Sequence, residues 1–289
     1  MKTLRLISLT ISFALASASL TFAQQNPPLG ENAALRYWSA FAEMQDSAIS
    51  DQQAKELNAI LDGTAPYDDL KYRDLAEKNK SAIETMARGT AFPNCDWGMD
   101  YALGPNTPVE YVRKALTLGR LNVLYAFHLL QNGDKDGAVR ALAAGLRFSH
   151  DVANGGTLFA TLVAKNLLGT HLRGIAFALH MEQLSAAQKS VLRKALTSLG
   201  PDGLDWQSGV KREFEIPQPG VDAKASTALA RIASAYESMF NDPSALSRLQ
   251  RMIADAPQSL RNLIPNPQPV LTQKQDLADK LSQIRLLLQ

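Results

Sequence analysis

The residues with the best potential for chemistry lie in one short segment, residues 96–101. In order, the segment contains Asp96, Trp97, Gly98, Met99, Asp100 and Tyr101. If it forms one helical turn, Asp96 and Asp100 lie on the same face with about 6 Å between their Cβ atoms. A retaining glycoside hydrolase needs two carboxyl groups about 5 Å apart, and aromatic side chains beside them would stack on a sugar ring.

The same residues have a structural interpretation, which we favour. In that interpretation each aspartate caps a turn, Trp97 anchors the segment to the core, and Tyr101 packs beside it. Binding residues are concentrated on loops, so contact with a ligand or partner is the next alternative, and catalysis is the last. We therefore take Asp96, Trp97, Asp100 and Tyr101 as candidate binding residues and assign no catalytic residue.

Other catalytic or metal-binding patterns are missing from the sequence. It contains no Gly-x-Ser-x-Gly nucleophile motif, no phosphate-binding Gly-Lys-Ser/Thr motif and no His-Glu-x-x-His zinc motif. No two of the four histidines stand four residues apart; these are His128, His150, His171 and His180. His128 and His150 fall on the two arms of one predicted hairpin and are the pair that could meet. Cys95 is the only cysteine, and we expect it to be a small buried residue. The sequence predicts no metal and no cofactor.

The first 23 residues have the character of a signal peptide. Lys2 and Arg5 give a positive start, residues 6–15 form a short apolar stretch, and small residues offer cleavage after Ala18 or Ala23. We favour cleavage after Ala23, where the composition becomes polar and rich in proline. The expected location is the periplasm or the medium, and no later apolar stretch has the ~20 residues that a transmembrane helix needs.

The charge of the chain argues against nucleic-acid binding. Lys2 and Arg5 account for the whole excess of the 30 Lys and Arg residues over the 28 Asp and Glu residues. The chain that remains after cleavage is neutral, so it lacks the positive field that holds DNA, RNA or anionic lipid. A protein, a peptide or an envelope component is a better expected partner, and the oligomeric state is open.

Composition and periodicity predict an all-α fold. Alanine and leucine dominate, and apolar residues recur at intervals of three and four. Helix starts are expected at or near Asn32, Ser50, Asp68, Thr107, Asp134, Thr157, Ser185, Asp205, Asp222, Asp242 and Thr272. The helix from Asp68 is expected to continue to about Arg88. Together the helices would pair as antiparallel hairpins, in a bundle with tetratricopeptide-like or α-solenoid-like character.

The best-patterned helix follows Thr107, which is predicted to cap it with Pro108 at the first position and Glu110 at the third. An apolar stripe runs along its whole length, so several helices should enclose it. Within that stripe Gly119 indicates a point where another helix comes close, because glycine otherwise weakens a helix. The long helix that starts at Thr157 is apolar on most sides and is expected at the centre.

After the signal peptide, the chain is expected to divide into a helical core, residues 24–200, and a C-terminal helical extension, residues 201–289. The extension contains a Pro-rich, extended linker at about residues 262–270 and a last helix opened by Thr272. One face of that helix carries Leu277, Leu281, Ile284 and Leu288. We expect this face to dock on the body of the protein, because large exposed apolar stripes are uncommon. Dimerisation through it is the alternative.

Several segments occur in an order that resembles a protein family. They are residues 32–38, residues 95–101 followed by a Gly-Pro pair and a leucine-rich helix, a turn at Gly133 and Asp134, and a helix start at residues 156–158. Over about residues 31–180 the chain resembles an uncharacterised family of exported, all-helical bacterial proteins, common in planctomycetes and similar phyla. The resemblance implies helical hairpins of tetratricopeptide-like character in an envelope compartment, and it implies no catalytic role.

The sequence leaves two main functional hypotheses. In the first, which we favour, the protein is an exported helical binding or scaffold protein that holds its ligand in a concave face. In the second, it is a glycan- or peptidoglycan-directed hydrolase that uses Asp96 and Asp100, with Glu110 as a further candidate carboxylate.

Overall fold

The computed structural model describes residues 31–45, 49–218 and 223–289, and this part of the chain is all-α. Residues 1–30, and with them the expected signal peptide, lie outside the described residues. The α-helices of the described part are α1 (Ala33–Glu43), α2 (Asp51–Leu61), α3 (Asp69–Lys78), α4 (Lys80–Gly89), α5 (Glu110–Gln131), α6 (Lys135–Ala153), α7 (Leu158–Met181), α8 (Ala186–Thr197), α9 (Trp206–Glu215), α10 (Ala223–Met239), α11 (Leu246–Ala254), α12 (Gln258–Arg261) and α13 (Pro267–Leu287). Short 3-10 helices cover Tyr101–Asn106 and Pro243–Ala245. These residues contain no strand, and a bridge between Asn32 and Asn94 is their one isolated β-type pairing.

Most helices begin where their capping residues predict. Asn32 accepts a hydrogen bond from the Ala34 N–H at the start of α1. Ser50 and Ser185 each form a capping box with the glutamine three residues later. Backbone N–H groups in the first turns of four further helical segments donate to the side chains of Asp68, Asp134, Asp205 and Asp242. Local capping therefore determines most helix starts.

The helix expected from Asp68 to about Arg88 is instead two helices, α3 and α4, which meet at Asn79. The Asn79 side chain is fully buried, and its amide donates a hydrogen bond to the Leu75 carbonyl. The side-chain amide thereby takes the place of the Asn79 backbone N–H, which would donate to the Leu75 carbonyl in a continuous helix. The side-chain oxygen of Asn79 also accepts a hydrogen bond from the N–H of Gln45, which follows α1. The break lets α4 pack against α1 while α3 packs against α5.

Thr107 does not cap α5, so the predicted capping box is wrong. The helix begins at Glu110, and Val109 before it makes no side-chain cap. The Thr107 hydroxyl donates instead to the Gly104 carbonyl at 2.8 Å and lies 3.1 Å from the Asp100 carbonyl. It therefore ties together the loop that precedes the helix.

Helix α7 lies at the centre, as predicted, and packs against α5, α6, α9 and α13. Two glycines allow its neighbours to approach it closely. A Cβ atom on Gly119 of α5 would lie 2.1 Å from Leu167 Cδ1, and one on Gly145 of α6 would lie 2.2 Å from the ring of His171. The close helix approach predicted at Gly119 is therefore confirmed.

The last helix, α13, docks on the body of the protein by packing against α7, α8 and α11. The face predicted to dock is buried at Leu277, Leu281, Ile284 and Leu288. The prediction of an extended linker to about residue 270 is wrong, because α13 already begins at Pro267, with Asn266 as its cap. Proline suits the first turn of a helix, where its missing N–H would have no partner. Thr272 lies inside the helix, and its hydroxyl donates to the Gln268 carbonyl.

Helical hairpins are present, as in the pairing of α5 with α6 and of α6 with α7, but other contacts cross the chain. Lys165 of α7 donates a hydrogen bond to Gln273 of α13, which lies 108 residues further along. In a solenoid each repeat contacts its neighbours alone, so the tetratricopeptide-like array stays a prediction. The domain division also stays a prediction, and apolar residues from both proposed domains belong to the same hydrophobic core. In the described part of the chain, no helix combines the length and the apolar character that a membrane span requires.

Candidate functional site

Trp97 anchors the loop between α4 and α5, residues 90–109, which we call the Trp97 loop. Its side chain is 5% exposed and stacks on Tyr111 with 4.4 Å between ring centroids. It also stacks on Phe41 at 6.0 Å, and its indole N–H donates a 2.8 Å hydrogen bond to the Asp151 carbonyl. These contacts bury the ring among α1, α5 and α6, so it is not available to stack on a sugar.

A buried carboxylate, that of Asp151 on α6, holds together several polar groups around the Trp97 loop. The Tyr37 hydroxyl donates to it at 2.7 Å, and Arg147 Nε lies 2.9 and 3.1 Å from its two oxygens. Burial and the neighbouring Asp151 charge raise the pKa of Tyr37, so this hydroxyl stays a donor. Arg147 also donates to the Pro93 carbonyl, which joins the network to the loop.

Cys95 is partly buried in the same region, and its Sγ lies 3.6 Å from the Asp151 carbonyl. Burial is the main cause that raises the pKa of its thiol, and the Asp151 charge raises it further. The thiol therefore stays protonated near neutral pH, where a thiolate would be the reactive form. This environment favours a structural role for Cys95 over a reactive one.

Asp96 and Asp100 are exposed, and both cap turns. Asp96 Oδ1 accepts a hydrogen bond from the Gly98 N–H at 2.9 Å, and Asp100 Oδ1 accepts one from the Ala102 N–H at 3.0 Å. Residues 95–100 contain no helical turn, and Gly98 has a φ of 68°, a conformation that glycine adopts readily. The turn that would place both carboxyl groups on one face therefore does not form.

Tyr101 connects the Trp97 loop to α9. The guanidinium carbon of Arg212 lies 5.6 Å from the centroid of its ring. Its hydroxyl oxygen is buried and makes no well-directed hydrogen bond within the described residues, and burial raises its pKa. The loop also approaches the residues that follow α9 at Gly104, where φ is 72° and a Cβ atom would lie 3.1 Å from the Pro217 carbonyl. The four candidate residues therefore do not form one site: Trp97 faces the core, the two aspartates face solvent, and Tyr101 supports α9.

A groove of about 550 Å³ lies between α9 and α10, and we call it the α9–α10 groove. Its apolar lining consists of Phe214, Ile216, Pro217, Leu229, Ala230 and Ala233. Its polar and charged lining consists of Lys211, Glu215, Gln218, Ser226, Ser234 and Glu237. This mixture of side chains can hold an apolar ligand and orient it through a few polar contacts.

Sequence reasoning missed the α9–α10 groove, because no residue in it belongs to a chemical motif. The proline-rich residues 216–220 indicated a break between helices and nothing more. A second signal was available in the small residues of α10, because Ser226, Ala230 and Ala233 stand at helical spacing on one face. A face of small side chains leaves space beside a neighbouring helix, and the lining of the groove contains all three.

Among the described residues, three charged side chains line the groove, and one of these has no ion-pair partner there. Glu215 lies 3.9 Å from Lys211 and 3.3 Å from Arg212, so it is paired within α9. The partly buried carboxylate of Glu237, on α10, forms no ion pair and no hydrogen bond with any residue that the structure describes. Its backbone carbonyl accepts a hydrogen bond from Gln207, which holds this end of α10 against α9.

The histidines do not come together. His128 bridges α5 to α3, because its Nδ1 lies 2.8 Å from Asp69 and its Nε2 lies 3.0 Å from Glu77. His150 is near the far end of α6, about 20 Å from the hairpin turn at a rise of 1.5 Å per residue, so the two do not meet. Within the ranges described above, no group of three His, Cys, Asp or Glu side chains is placed to hold a metal ion.

The fold places the protein in the broad class of all-α proteins built from helical hairpins. The chain matches no protein-family model, no curated protein and no solved structure.

Proposed function

We propose that this protein is an exported, non-catalytic binding protein that holds a short peptide segment in the α9–α10 groove. The observation that carries the proposal is the groove itself, which combines apolar and polar side chains around about 550 Å³. Ligand sites in proteins commonly have volumes of about 300–1,000 Å³ and a lining of this kind. The neutral charge expected of the exported chain agrees with a peptide ligand better than with a polyanion.

The length of the groove favours an extended peptide. Its lining on α10 runs from Ser226 to Glu237, which corresponds to about 17 Å at the rise of an α-helix. Five residues of extended chain span a similar length of about 17 Å. Ala230 and Ala233 leave room for the backbone of a guest, while Phe214 supplies apolar surface on the opposite wall.

The hydrolase alternative has less support. Asp96 and Asp100 use their carboxylates to cap turns, and the ring of Trp97 is buried. None of the three lines the α9–α10 groove. The hydrolase function stays a prediction, and so does membership of the exported, planctomycete-type family.

The groove can be tested by filling it. Ala230 is exposed on α10 and lines the groove, so Ala230→Trp should occupy the space of the guest at little cost in stability. Mature protein would be dialysed against a pool of capped five-residue peptides, and the retained peptides identified by mass spectrometry. We expect retained peptides rich in apolar residues, and a loss of about tenfold or more in their affinity for Ala230→Trp, which corresponds to about 1.4 kcal/mol.

The matched control is Ala187→Trp, which places the same side chain on an exposed position of α8, away from the groove. This variant should bind the retained peptides as the unchanged protein does, as measured by isothermal titration calorimetry. The proposal is wrong if no peptide is retained, or if both tryptophan variants bind equally well.

Export is part of the same proposal and has its own test. Produced from its full sequence in a Gram-negative host, the protein should appear in the periplasm with Gln24 as its first residue, as shown by intact mass. The variant Ala23→Arg removes the small residue that signal peptidase needs before the cut, so cleavage should move to Ala18 and leave Ser19 first. A product that keeps Met1 and stays in the cytoplasm would contradict export.

A further inference from the structure

We infer that the α9–α10 groove selects peptides that place a lysine or arginine beside Glu237 and apolar residues along the rest of the groove. The inference rests on the proposed function and specifies its ligand. The described lining of the groove carries two acidic side chains and one basic side chain, and the basic side chain is paired with one of the two acidic ones.

Ion pairs between described residues account for two of the three charged side chains in the lining and leave one carboxylate without a partner. Lys211 is the one cationic side chain among the described residues of the lining, and it has Glu215 within 3.9 Å. Glu215 also has Arg212 within 3.3 Å. Glu237 has no such partner within the described residues. The net charge of the lining is therefore negative, and the negative charge that lacks compensation lies at one end of the groove. A guest with a cation at that end would complement it.

The position of Glu237 in its helix also favours a cationic guest. It lies in the last turn of α10, which ends at Met239. Backbone carbonyl groups give the last turn of a helix a partial negative charge, so an acidic side chain is unfavourable there and a cation is favourable. A basic residue of a bound peptide would therefore meet both the carboxylate and the negative end of the helix.

The opposite wall suits the stem of a long basic side chain. The Phe214 ring lines the groove and lies 5.9 Å from the ring of Tyr236, the residue before Glu237. Lysine and arginine pack their aliphatic stems on apolar surface while the charged group remains solvated. A basic side chain can therefore lie along Phe214 and reach Glu237, while Leu229 and Ala230 contact apolar residues of the same peptide.

Three capped five-residue peptides test the inference. They share four apolar residues, taken from the peptides that the pool selects, and carry arginine, norleucine or glutamate at the fifth position. We expect the arginine peptide to bind the unchanged protein about fivefold more tightly than the norleucine peptide, the range of a partly exposed ion pair. The glutamate peptide should bind most weakly, and added salt should reduce the preference for arginine.

The variant Glu237→Gln should lose the preference for arginine while it keeps its affinity for the norleucine peptide. The matched control Glu84→Gln, on an exposed position of α4, should keep both. If the norleucine peptide binds but arginine gives no advantage, or if Glu237→Gln keeps the advantage, the inference is overturned while the peptide groove stands. If none of the three peptides binds the unchanged protein, the inference and the proposed function both fall.

Discussion

Replacing Trp97 with alanine is expected to lower the free energy of unfolding by about 4 kcal/mol, the range found when a buried aromatic side chain is removed. The ring is 5% exposed and packs on Tyr111 and Phe41 from two different helices. The substitution would also remove the 2.8 Å hydrogen bond from the indole N–H to the Asp151 carbonyl. That carbonyl keeps the Asn154 N–H as a donor at 3.1 Å, so the loss adds only the modest free energy of one hydrogen bond. Urea unfolding followed by circular dichroism measures the change.

Two further substitutions separate packing from hydrogen bonding. Trp97→Phe keeps an aromatic ring but loses the indole N–H, so it should cost less, about 1–2 kcal/mol. Asp96→Asn should cost under about 0.5 kcal/mol, because the residue is exposed and asparagine also accepts from a backbone N–H in a cap. An unchanged stability of Trp97→Ala would contradict the anchoring role and restore Trp97 as a candidate for stacking on a ligand.

The helices could be predicted from the sequence where a local signal acts alone. Ser50 and Ser185 each meet a glutamine three residues later, and both form the predicted capping box. The apolar periodicity of the last helix identified its docking face, because burial of a stripe follows from helical spacing. The close helix approach at Gly119 could also be predicted, because a glycine inside an apolar stripe has few explanations other than a close neighbour.

The predicted helix boundaries are wrong where a residue has two possible local hydrogen-bonding arrangements of similar free energy. The Thr107 hydroxyl can cap a helix or donate to carbonyl groups of the loop before it. It does the second, because the Gly104 carbonyl points towards it. Asn79 can continue a helix or bond to the backbone, and burial beside α1 selects the second. Pro267 signals an extended chain or the first turn of a helix, and Asn266 before it decides for the helix. At Asn79 the outcome depends on packing against α1, which is distant in sequence. At Thr107 and Pro267 it depends on a nearby residue, Gly104 or Asn266, whose effect the capping pattern did not take into account.

The candidate site could be predicted only in part, for a different reason. Aromatic and acidic residues in a loop look the same whether they anchor the loop or bind a sugar. What distinguishes the two is burial, and Trp97 is buried by Phe41 and Tyr111, residues that the sequence does not place beside it. The described walls of the α9–α10 groove contain no catalytic motif, so the position of the groove could not be predicted from sequence motifs. It follows from the packing of α9 against α10.

The Trp97 loop and the α9–α10 groove are nevertheless linked. Arg212 lies over the Tyr101 ring and also pairs with Glu215 of the groove lining. Pro217 lines the groove, and its carbonyl meets the loop at Gly104. Among the four candidate residues, Tyr101 therefore supports one wall of the groove through Arg212. This gives Tyr101 a positioning role, in place of the direct ligand contact that was the less favoured interpretation of the sequence.

A histidine in the core gives the second large expected effect, on the pH dependence of stability. His171 is fully buried between α5, α6 and α7, and its hydrogen-bond partners carry no charge. The Asn122 amide donates to the Ala141 carbonyl and can donate its other hydrogen to His171 Nε2. We therefore assign the proton to Nδ1, which lies 3.0 Å from the Leu167 carbonyl. The neutral ring satisfies these partners, whereas a charged ring would be buried without an anion.

Burial lowers the pKa of His171 from its ordinary value of 6.5 to about 4, against a smaller opposing effect of the Leu167 carbonyl. Between these two values the unfolded chain binds a proton that the folded chain does not, so stability must fall as the pH falls. The contribution of the neutral His171 ring to the free energy of unfolding is complete above pH 6.5 and is lost as the pH falls towards 4. At about 1.4 kcal/mol per pKa unit, the total loss is about 3 kcal/mol.

Urea unfolding at a series of pH values measures this contribution, by comparison of the unchanged protein with His171→Gln. Because the variant has no ring to protonate, its stability should fall less between pH 6.5 and 4, by a difference of about 3 kcal/mol. His180→Gln, on an exposed position of the same helix, is the matched control and should keep the full dependence. If His171→Gln does not fold, NMR of the unchanged protein decides instead, because the His171 ring should show no titration between pH 8 and 5. Two results would contradict this prediction: a His171 ring that titrates near pH 6.5, or the same dependence of unfolding free energy on pH in both variants. Either would mean that His171 accepts its charge without disturbing the junction of α5, α6 and α7.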